Sequence, residues 1–203
     1  MISFVYFDVG GVVVRDFSAS NKWDMLRSDL GIKDIDTKRF SEIWREYEKE
    51  ICTSLPVDKM KPILEKEFGV VIPPHHSLLN NFIKYFDKNE SIWKVVDAAK
   101  SKYKIGLLTS MYVGMFGKIL EKDILPHVVW DAVIDSSIVG FAKPDIEIYE
   151  AAQKESGVDA KEILFIDNNM HNIFPAEKLG WQTFFYDSKD YEASSKKLME
   201  VLS

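Results

Sequence analysis

Four polar stretches of this chain stand where apolar runs stop. Asp8 follows Ser3-Phe4-Val5-Tyr6-Phe7 and precedes Val9-Gly10-Gly11-Val12. Thr109 and Ser110 close the run Ile105-Gly106-Leu107-Leu108. Lys143-Pro144-Asp145 follows Gly140-Phe141-Ala142, and Asp167-Asn168-Asn169 closes Ile163-Leu164-Phe165-Ile166. Taken singly, these are ordinary turn, cap or surface residues. Taken in order, each at the end of an apolar run, they offer one cleft a nucleophilic carboxylate, a hydroxyl, an ammonium and a second carboxylate with amides. A glycine pair beside the first carboxylate lets backbone approach a ligand closely.

The elements that position them follow from periodicity. Short runs rich in β-branched and aromatic residues suit strands buried on both faces. Such runs fall at residues 3–8, 105–109, 131–135, 163–167 and 182–186. From residue 103 they alternate with helical patterns at 112–121, 145–156, 170–180 and 189–202, which predicts an α/β domain with a mainly parallel sheet. All four polar stretches then lie at the carboxyl edge of that sheet, where α/β folds bind ligands.

Residues 16–101 read differently. Apolar positions recur at helical spacing near 20–31, 37–52, 57–68, 76–87 and 90–101, as in Phe40, Ile43, Trp44, Tyr47 and Ile51. Pro56, Pro62 and Pro73-Pro74 punctuate them. This helical block interrupts the α/β domain immediately after its first strand, so it is expected to overhang Asp8 as a lid. The expected division is a core of residues 1–15 and 102–203 and a helical insertion of 16–101.

Of the 203 residues, 46% are apolar and 29% charged, with a net charge of −6. That is ordinary for a globular domain. Basic residues never cluster beyond a pair, which argues against nucleic acid or an anionic membrane as partner. One cysteine, Cys52, permits no internal disulfide and fits a reducing compartment. A cytoplasmic protein, monomeric or homodimeric, is expected. The four histidines show no zinc-ligand spacing.

The four stretches together resemble the haloacid dehalogenase-like superfamily over the whole chain. The nucleophile motif is similar to Phe7-Asp8-Val9-Gly10-Gly11-Val12, the second to Leu107-Leu108-Thr109-Ser110. The third resembles Gly140-Phe141-Ala142-Lys143-Pro144-Asp145, and the fourth Phe165-Ile166-Asp167-Asn168-Asn169-Met170-His171-Asn172. The resemblance implies a Rossmannoid, doubly wound parallel sheet with an inserted four-helix cap. It implies a Mg²⁺-dependent phosphatase of a small phosphorylated metabolite, acting through an aspartyl-phosphate at Asp8. Asp8, Thr109, Lys143 and Asp167 would be catalytic. Gly10, Gly11, Thr109, Ser110 and Lys143 would bind phosphate. Asp8, the Gly10 carbonyl, Asp167 and Asn168 would hold the metal.

Two positions depart from that pattern. The family's phosphatases usually carry a second aspartate two residues after the nucleophile, as general acid and base. Here that position is Gly10. The usual Asp-Asp pair of the fourth motif is Asp167-Asn168 here, so weak Mg²⁺ binding is expected. His171 is a candidate stand-in for the missing acid, and Arg15, Trp23, Trp44, Arg45 and Tyr47 are candidates for cap specificity. Two alternatives stand beside the phosphatase: a metal-free 2-haloacid dehalogenase, and a catalytically weakened binding or regulatory protein.

Overall fold

The computed structural model describes all 203 residues. In chain order the elements are β1 (Phe4–Phe7), β2 (Val14–Arg15), α1 (Lys22–Asp29), α2 (Thr37–Thr53), α3 (Lys61–Phe68) and α4 (Leu78–Lys84). There follow β3 (Asp87–Lys88), α5 (Glu90–Lys102), β4 (Lys104–Thr109), α6 (Met115–Glu121), β5 (Ala132–Asp135) and α7 (Ser136–Val139). The chain ends with α8 (Ile146–Ser156), β6 (Ile163–Asp167), α9 (Met170–Lys178), β7 (Gln182–Phe185) and α10 (Tyr191–Leu202).

Five strands form one sheet in the order β5-β4-β1-β6-β7. Every pairing in it is parallel, with Phe7 opposite Leu107 on one side and Ile166 on the other. The chain leaves β1 toward β4 and β5, then returns to add β6 and β7 on the far side. The order therefore reverses beside β1, and the crevice outside the strand ends at such a switch point is where doubly wound sheets bind ligands.

The two-residue alternation of a strand divides the core between the sheet's faces. Phe4 and Tyr6 of β1 join Ile148, Tyr149 and Ala152 of α8, Ala176 of α9, and Trp181. Val5 and Phe7 face the other way, with Val95, Val96 and Ala99 of α5 and Leu198 and Leu202 of α10. Each large apolar side chain buried this way contributes roughly 1.5–3 kcal/mol against solvent exposure. A central strand with four buried residues, FVYF, is thus the pivot of both layers. No helix is long and apolar enough to cross a membrane.

Three features differ from the expectations. Residues 90–101, expected in the helical insertion, form α5, which packs on α10 and β4. Its stripe of Ile92, Val95, Val96 and Ala99 faces the sheet, so we assign it to the α/β layer and the insertion to 16–86. That insertion still holds four α-helices, α1 to α4. Second, helix 76–87 stops at Lys84, and Asp87–Lys88 pairs antiparallel with Val14–Arg15 as a two-stranded ribbon. Strands of two residues are too short to leave a period-two signature. Third, the helix expected from 112 starts at Met115, after Gly114 at φ +82°.

Where the chain passes from cap to core, Asn89 is fully buried. Its side-chain N–H groups donate to the Val12 carbonyl at 2.6 Å and to the Tyr186 hydroxyl at 3.0 Å. Its carbonyl accepts from Ser91 at 2.7 Å. Replacing one member of such a network leaves its buried partners unpaired. Asn89→Leu is therefore expected to lower unfolding stability by about 1–3 kcal/mol, read from the urea midpoint at constant slope. A midpoint equal to that of the parent protein would show that the network is immaterial.

Candidate active site

β1 ends at Phe7, and the Asp8 N–H continues its ladder by donating to the Ile166 carbonyl at 2.8 Å. Asp8 is thereby fixed at the sheet edge, one residue beyond the strand. The chain then turns back. Val14 N–H donates to the Val9 carbonyl at 2.9 Å and Gly11 N–H to the Val14 carbonyl at 2.9 Å. Gly11 adopts φ +75°, and a Cβ there would lie 2.2 Å from Asn168 Nδ2, so only glycine fits. The Gly11 N–H, expected to face phosphate, is thus committed to the turn. The Gly10 N–H carries no backbone acceptor.

Lys143 lies between the two carboxylates that flank the switch point. Its Nζ is 2.9 Å from Asp8 Oδ1 and 2.7 Å from Asp167 Oδ2, with the lysine 8% and Asp167 0% exposed. Burial favours the neutral form of each of these groups, and opposite charges in contact oppose it. Burial pushes the Asp8 carboxyl up to about 7, against the pull of Lys143 and with the repulsion of Asp167 adding to it. Burial would lower Lys143, but Asp167 and Asp8 outweigh it and hold the ammonium above its ordinary value.

The remaining donors are arranged around this trio. Asp167 accepts from Asn169 N–H at 2.8 Å and from Asn172 Nδ2 at 3.1 and 3.3 Å. Both its oxygens are therefore occupied by protein donors. Asp8 Oδ1 also accepts from Val9 N–H at 2.7 Å, whereas Oδ2 has no protein donor. The Thr109 side chain is buried, lines the cleft and makes no hydrogen bond to the protein. Ser110 Oγ accepts the Lys143 backbone N–H at 2.8 Å, which fixes the lysine's loop. Asn168 Nδ2 donates to Ser18 Oγ at 3.0 Å.

These side chains open into a cleft of about 260 Å³ under the cap. Phe17, Trp23, Phe82 and Phe86 of the insertion, with Met111 and Tyr112 from the loop after β4, give it an apolar wall. Tyr112 stacks on Trp44 at 6.2 Å between ring centroids and meets Phe82 edge-on at 5.0 Å. The cap is docked over the site by direct bonds. Ser136 Oγ donates to the Cys52 carbonyl at 2.6 Å, Val113 N–H to the Ile51 carbonyl at 3.2 Å, and Lys49 pairs with Asp145 at 2.8 Å. From the core side, Lys122 donates to the Ile83 carbonyl at the end of α4 at 2.9 Å.

Asp8, Gly10, Thr109, Ser110, Lys143 and Asn168 all line this cleft, and Asp167 lies behind Lys143. Of the cap candidates, Trp23 lines it, while Trp44 and Arg45 line an adjoining pocket. Arg15 turns away, with its guanidinium over the Tyr191 ring and 3.4 Å from Glu192. Tyr47 lies on another face of the cap, beside Arg39 and Glu67. His171 is exposed at the start of α9 and does not line the cleft, so it cannot stand in for a missing acid there.

Asp16, Ser18, Glu48 and Cys52 line the cleft without having stood out in the sequence. Asp16 is the informative omission. Its Oδ1 accepts from Ser18 N–H at 2.8 Å, and burial raises its carboxyl above the ordinary range. The only sequence signal was a carboxylate eight residues after Asp8, beyond a turn whose reversal could not be read. Burial likewise pushes the Cys52 thiol up to about 12, so it stays protonated.

No three His, Cys, Asp or Glu side chains gather anywhere to cage a cation. The donors at the cleft nonetheless suit Mg²⁺, which keeps several waters and needs one or two carboxylates plus phosphate oxygens. Asp8 Oδ2 is free of protein donors, and Asn168 donates through nitrogen to Ser18, which leaves its oxygen for a ligand.

Comparison with known proteins adds the lineage. The family model described as haloacid dehalogenase-like hydrolase matches residues 3–180. The sesquiterpene phosphatase astK of Aspergillus oryzae is 23% identical over 192 residues, 86% of this chain and 84% of its own. A HAD family enzyme of Bacteroides thetaiotaomicron, bt-2542, solved with magnesium and inorganic phosphate, superposes with a TM-score of 0.75. It is 18% identical, with 94% of this chain and 96% of that one covered. The L-2-haloacid dehalogenase PA0810 superposes at 0.66 with 16% identity, over 91% and 84%. At these identities the superpositions show a shared fold.

Removing one member of a buried charge cluster strands the others. Lys143→Met is expected to destabilise the protein by about 3–5 kcal/mol at neutral pH, because Asp8 and Asp167 are left buried without a cation. Chemical denaturation measures it. A loss below about 1 kcal/mol would mean that the two carboxylates do not depend on the lysine.

Proposed function

The chain belongs to the haloacid dehalogenase-like hydrolases, and from that premise we propose that it hydrolyses phosphate monoesters through an aspartyl-phosphate at Asp8. The observation that carries this reading is the charge balance of the cleft. Asp8, Asp16 and Glu48 line it, and Lys143 is the one cationic side chain among its lining residues. That ammonium is already shared between Asp8 and Asp167. An anionic substrate therefore needs a further positive charge, which a divalent cation held by the oxygen donors of the cleft would supply.

Asp8, the Gly10 carbonyl and Asn168 would hold Mg²⁺, with Asp167 acting through water because its oxygens are filled. When bound, the ion neutralises phosphate charge and draws phosphate toward the nucleophile. The protein's own groups do the rest. Asp8 is held on the sheet edge by the bonds of its Oδ1 to Lys143 and Val9, and its carboxylate supplies the oxygen that attacks phosphorus. Thr109 donates to a phosphate oxygen. Lys143 keeps Asp8 and Asp167 in place and offsets charge as the transferred group passes between oxygens. The docked cap covers the reacting centre and shapes the space over it.

Two features favour this over halide displacement. A 2-haloacid brings its own carboxylate, and without a metal no cation in the cleft is free to meet it. The A. oryzae relative is also named as a phosphatase. The apolar wall of the cleft and that relative's name both favour an ester of a small apolar alcohol over a sugar phosphate.

Phosphate release from alkyl and p-nitrophenyl phosphates should require Mg²⁺, with half-maximal activation at or above about 0.1 mM. Asp8→Asn should lower it by about 10³-fold or more. Halide release from 2-chloroacids in the presence of chelator would replace this reading with the dehalogenase. Absence of turnover on either class would favour a binding or regulatory protein. Trp23→Ala should raise KM for apolar esters about tenfold while leaving acetyl phosphate unchanged, since burying an aromatic face is worth 1–2 kcal/mol. Equal effects on both substrates would remove Trp23 from recognition.

A further inference from the structure

A phosphate monoester of an alcohol cannot be cleaved quickly unless its leaving oxygen is protonated as it departs. The position where this fold family carries that acid is Gly10, which has no side chain. The structure shows what fills the space. A Cβ on Gly10 would lie 2.6 Å from Asp16 Oδ2 and 3.4 Å from Asp16 Cγ. A carboxylate from six residues downstream thus stands where the side chain of residue 10 would begin. Gly10 is not in a left-handed conformation, so its backbone admits other residues, and the obstacle to a side chain is Asp16 itself.

The placement of Asp16 is built rather than incidental. The tight turn after Asp8 brings the chain back beside its start, with Val14 bonded to Val9 and Gly11. Asp16 follows the end of β2, and its Oδ1 is held by the Ser18 N–H at 2.8 Å. Ser18 is in turn held by Asn168 Nδ2 at 3.0 Å across the cleft from the fourth strand end. Oδ2 is the oxygen that stands over Gly10, and Asp16 lines the cleft. The other groups able to move a proton are worse placed. Glu48 is exposed on the cap, His171 is outside the cleft, and Asp8 and Asp167 are tied to Lys143.

We propose that Asp16 is the general acid and base of this site, with Ser18 and Asn168 as its positioning residues. This rests on the phosphatase reading above. In the first step an Asp8 oxygen forms a bond to phosphorus as the P–O bond to the alcohol breaks. The leaving oxygen keeps that electron pair and takes the proton of the Asp16 carboxyl. In the second step the Asp16 carboxylate takes a proton from water as the water oxygen bonds to phosphorus. The bond between phosphorus and Asp8 breaks, its electrons return to the Asp8 carboxylate, and phosphate leaves. Asp16 ends protonated as it began. Gly10 and Asn168 then belong to one rearrangement: the first makes room for the carboxylate, and the second braces the loop that carries it.

The test uses the full chain with Mg²⁺ and compares substrates of different leaving group. Asp16→Asn is close to isosteric. With an alkyl phosphate, it should lower kcat by about 10²–10⁴-fold. With p-nitrophenyl phosphate, whose phenolate leaves without a proton, it should give a rapid burst of about one nitrophenolate per enzyme. Slow turnover and phosphorylated Asp8, detectable by mass, should follow. A relocation variant keeps the test independent of folding losses: Gly10→Asp in the Asp16→Ala background should recover at least tenfold over Asp16→Ala alone. Alkyl phosphate turnover unchanged in Asp16→Asn would overturn the assignment. So would equal losses on both substrates with no burst and no recovery on relocation. If the parent protein releases no phosphate from any ester, the phosphatase reading fails and this assignment with it. A parent that is active and sensitive to Asp8→Asn separates the two.

Discussion

Two carboxylates buried side by side stay ionised together only with a cation between them. That constraint organises this molecule. Asp8 and Asp167 end adjacent parallel strands, so the sheet itself forces them together at its carboxyl edge. Lys143 is the answer, and it must arrive from a loop beyond β5 at a fixed depth. Ser110 on the end of β4 catches that loop by its backbone. Asn169 and Asn172 fill the remaining lone pairs of Asp167. Three strand ends and the loop after α7 are thus tied to a single charge problem, which is why the motifs are dispersed in sequence and tight in space.

The cap answers a different need. Phosphoryl transfer asks for a dry and shaped space over the nucleophile. Helices α2 and α4 close the cleft by docking on α7 and α6, through backbone carbonyls that accept from Ser136, Val113 and Lys122. The rings of Trp23, Phe82 and Tyr112 then serve two purposes. Trp23 and Phe82 belong to the cap, Tyr112 reaches them from the loop after β4, and all three line the cleft. Specificity and cap stability are therefore coupled through the same aromatic cluster, and a change of substrate range has to keep that cluster packed.

Much of this was legible in the sequence because it rests on long apolar runs. β6 runs from Ile163 to Asp167 as its pattern predicts, and the five runs read as strands form one parallel sheet. The residues gathered at its edge are the ones that close those runs. What escaped were features set by a reversal of a few residues. The ribbon of Val14–Arg15 with Asp87–Lys88 is too short to show a period. Without it, nothing signals that Asp16 is folded back over Gly10, or that Arg15 points away toward Tyr191. Helix α5 was misplaced for another reason. An amphipathic stripe shows that a helix covers something apolar, not which layer it covers. Its partner, α10, lies a hundred residues away.

The ribbon also sets how this hydrolase can change over time. The chain enters the cap through β2 and leaves it through β3, and the two crossings are hydrogen-bonded to each other. The inserted segment therefore hangs from one stem, like a side branch grafted at a single node. Its length and helix count can drift without asking any strand of the sheet to shift register. Asp16 is the first residue past that crossing and sits at the stem, beside Gly10, whatever the branch beyond it holds. A lineage built on this plan can exchange its roof for new substrates and keep its chemistry.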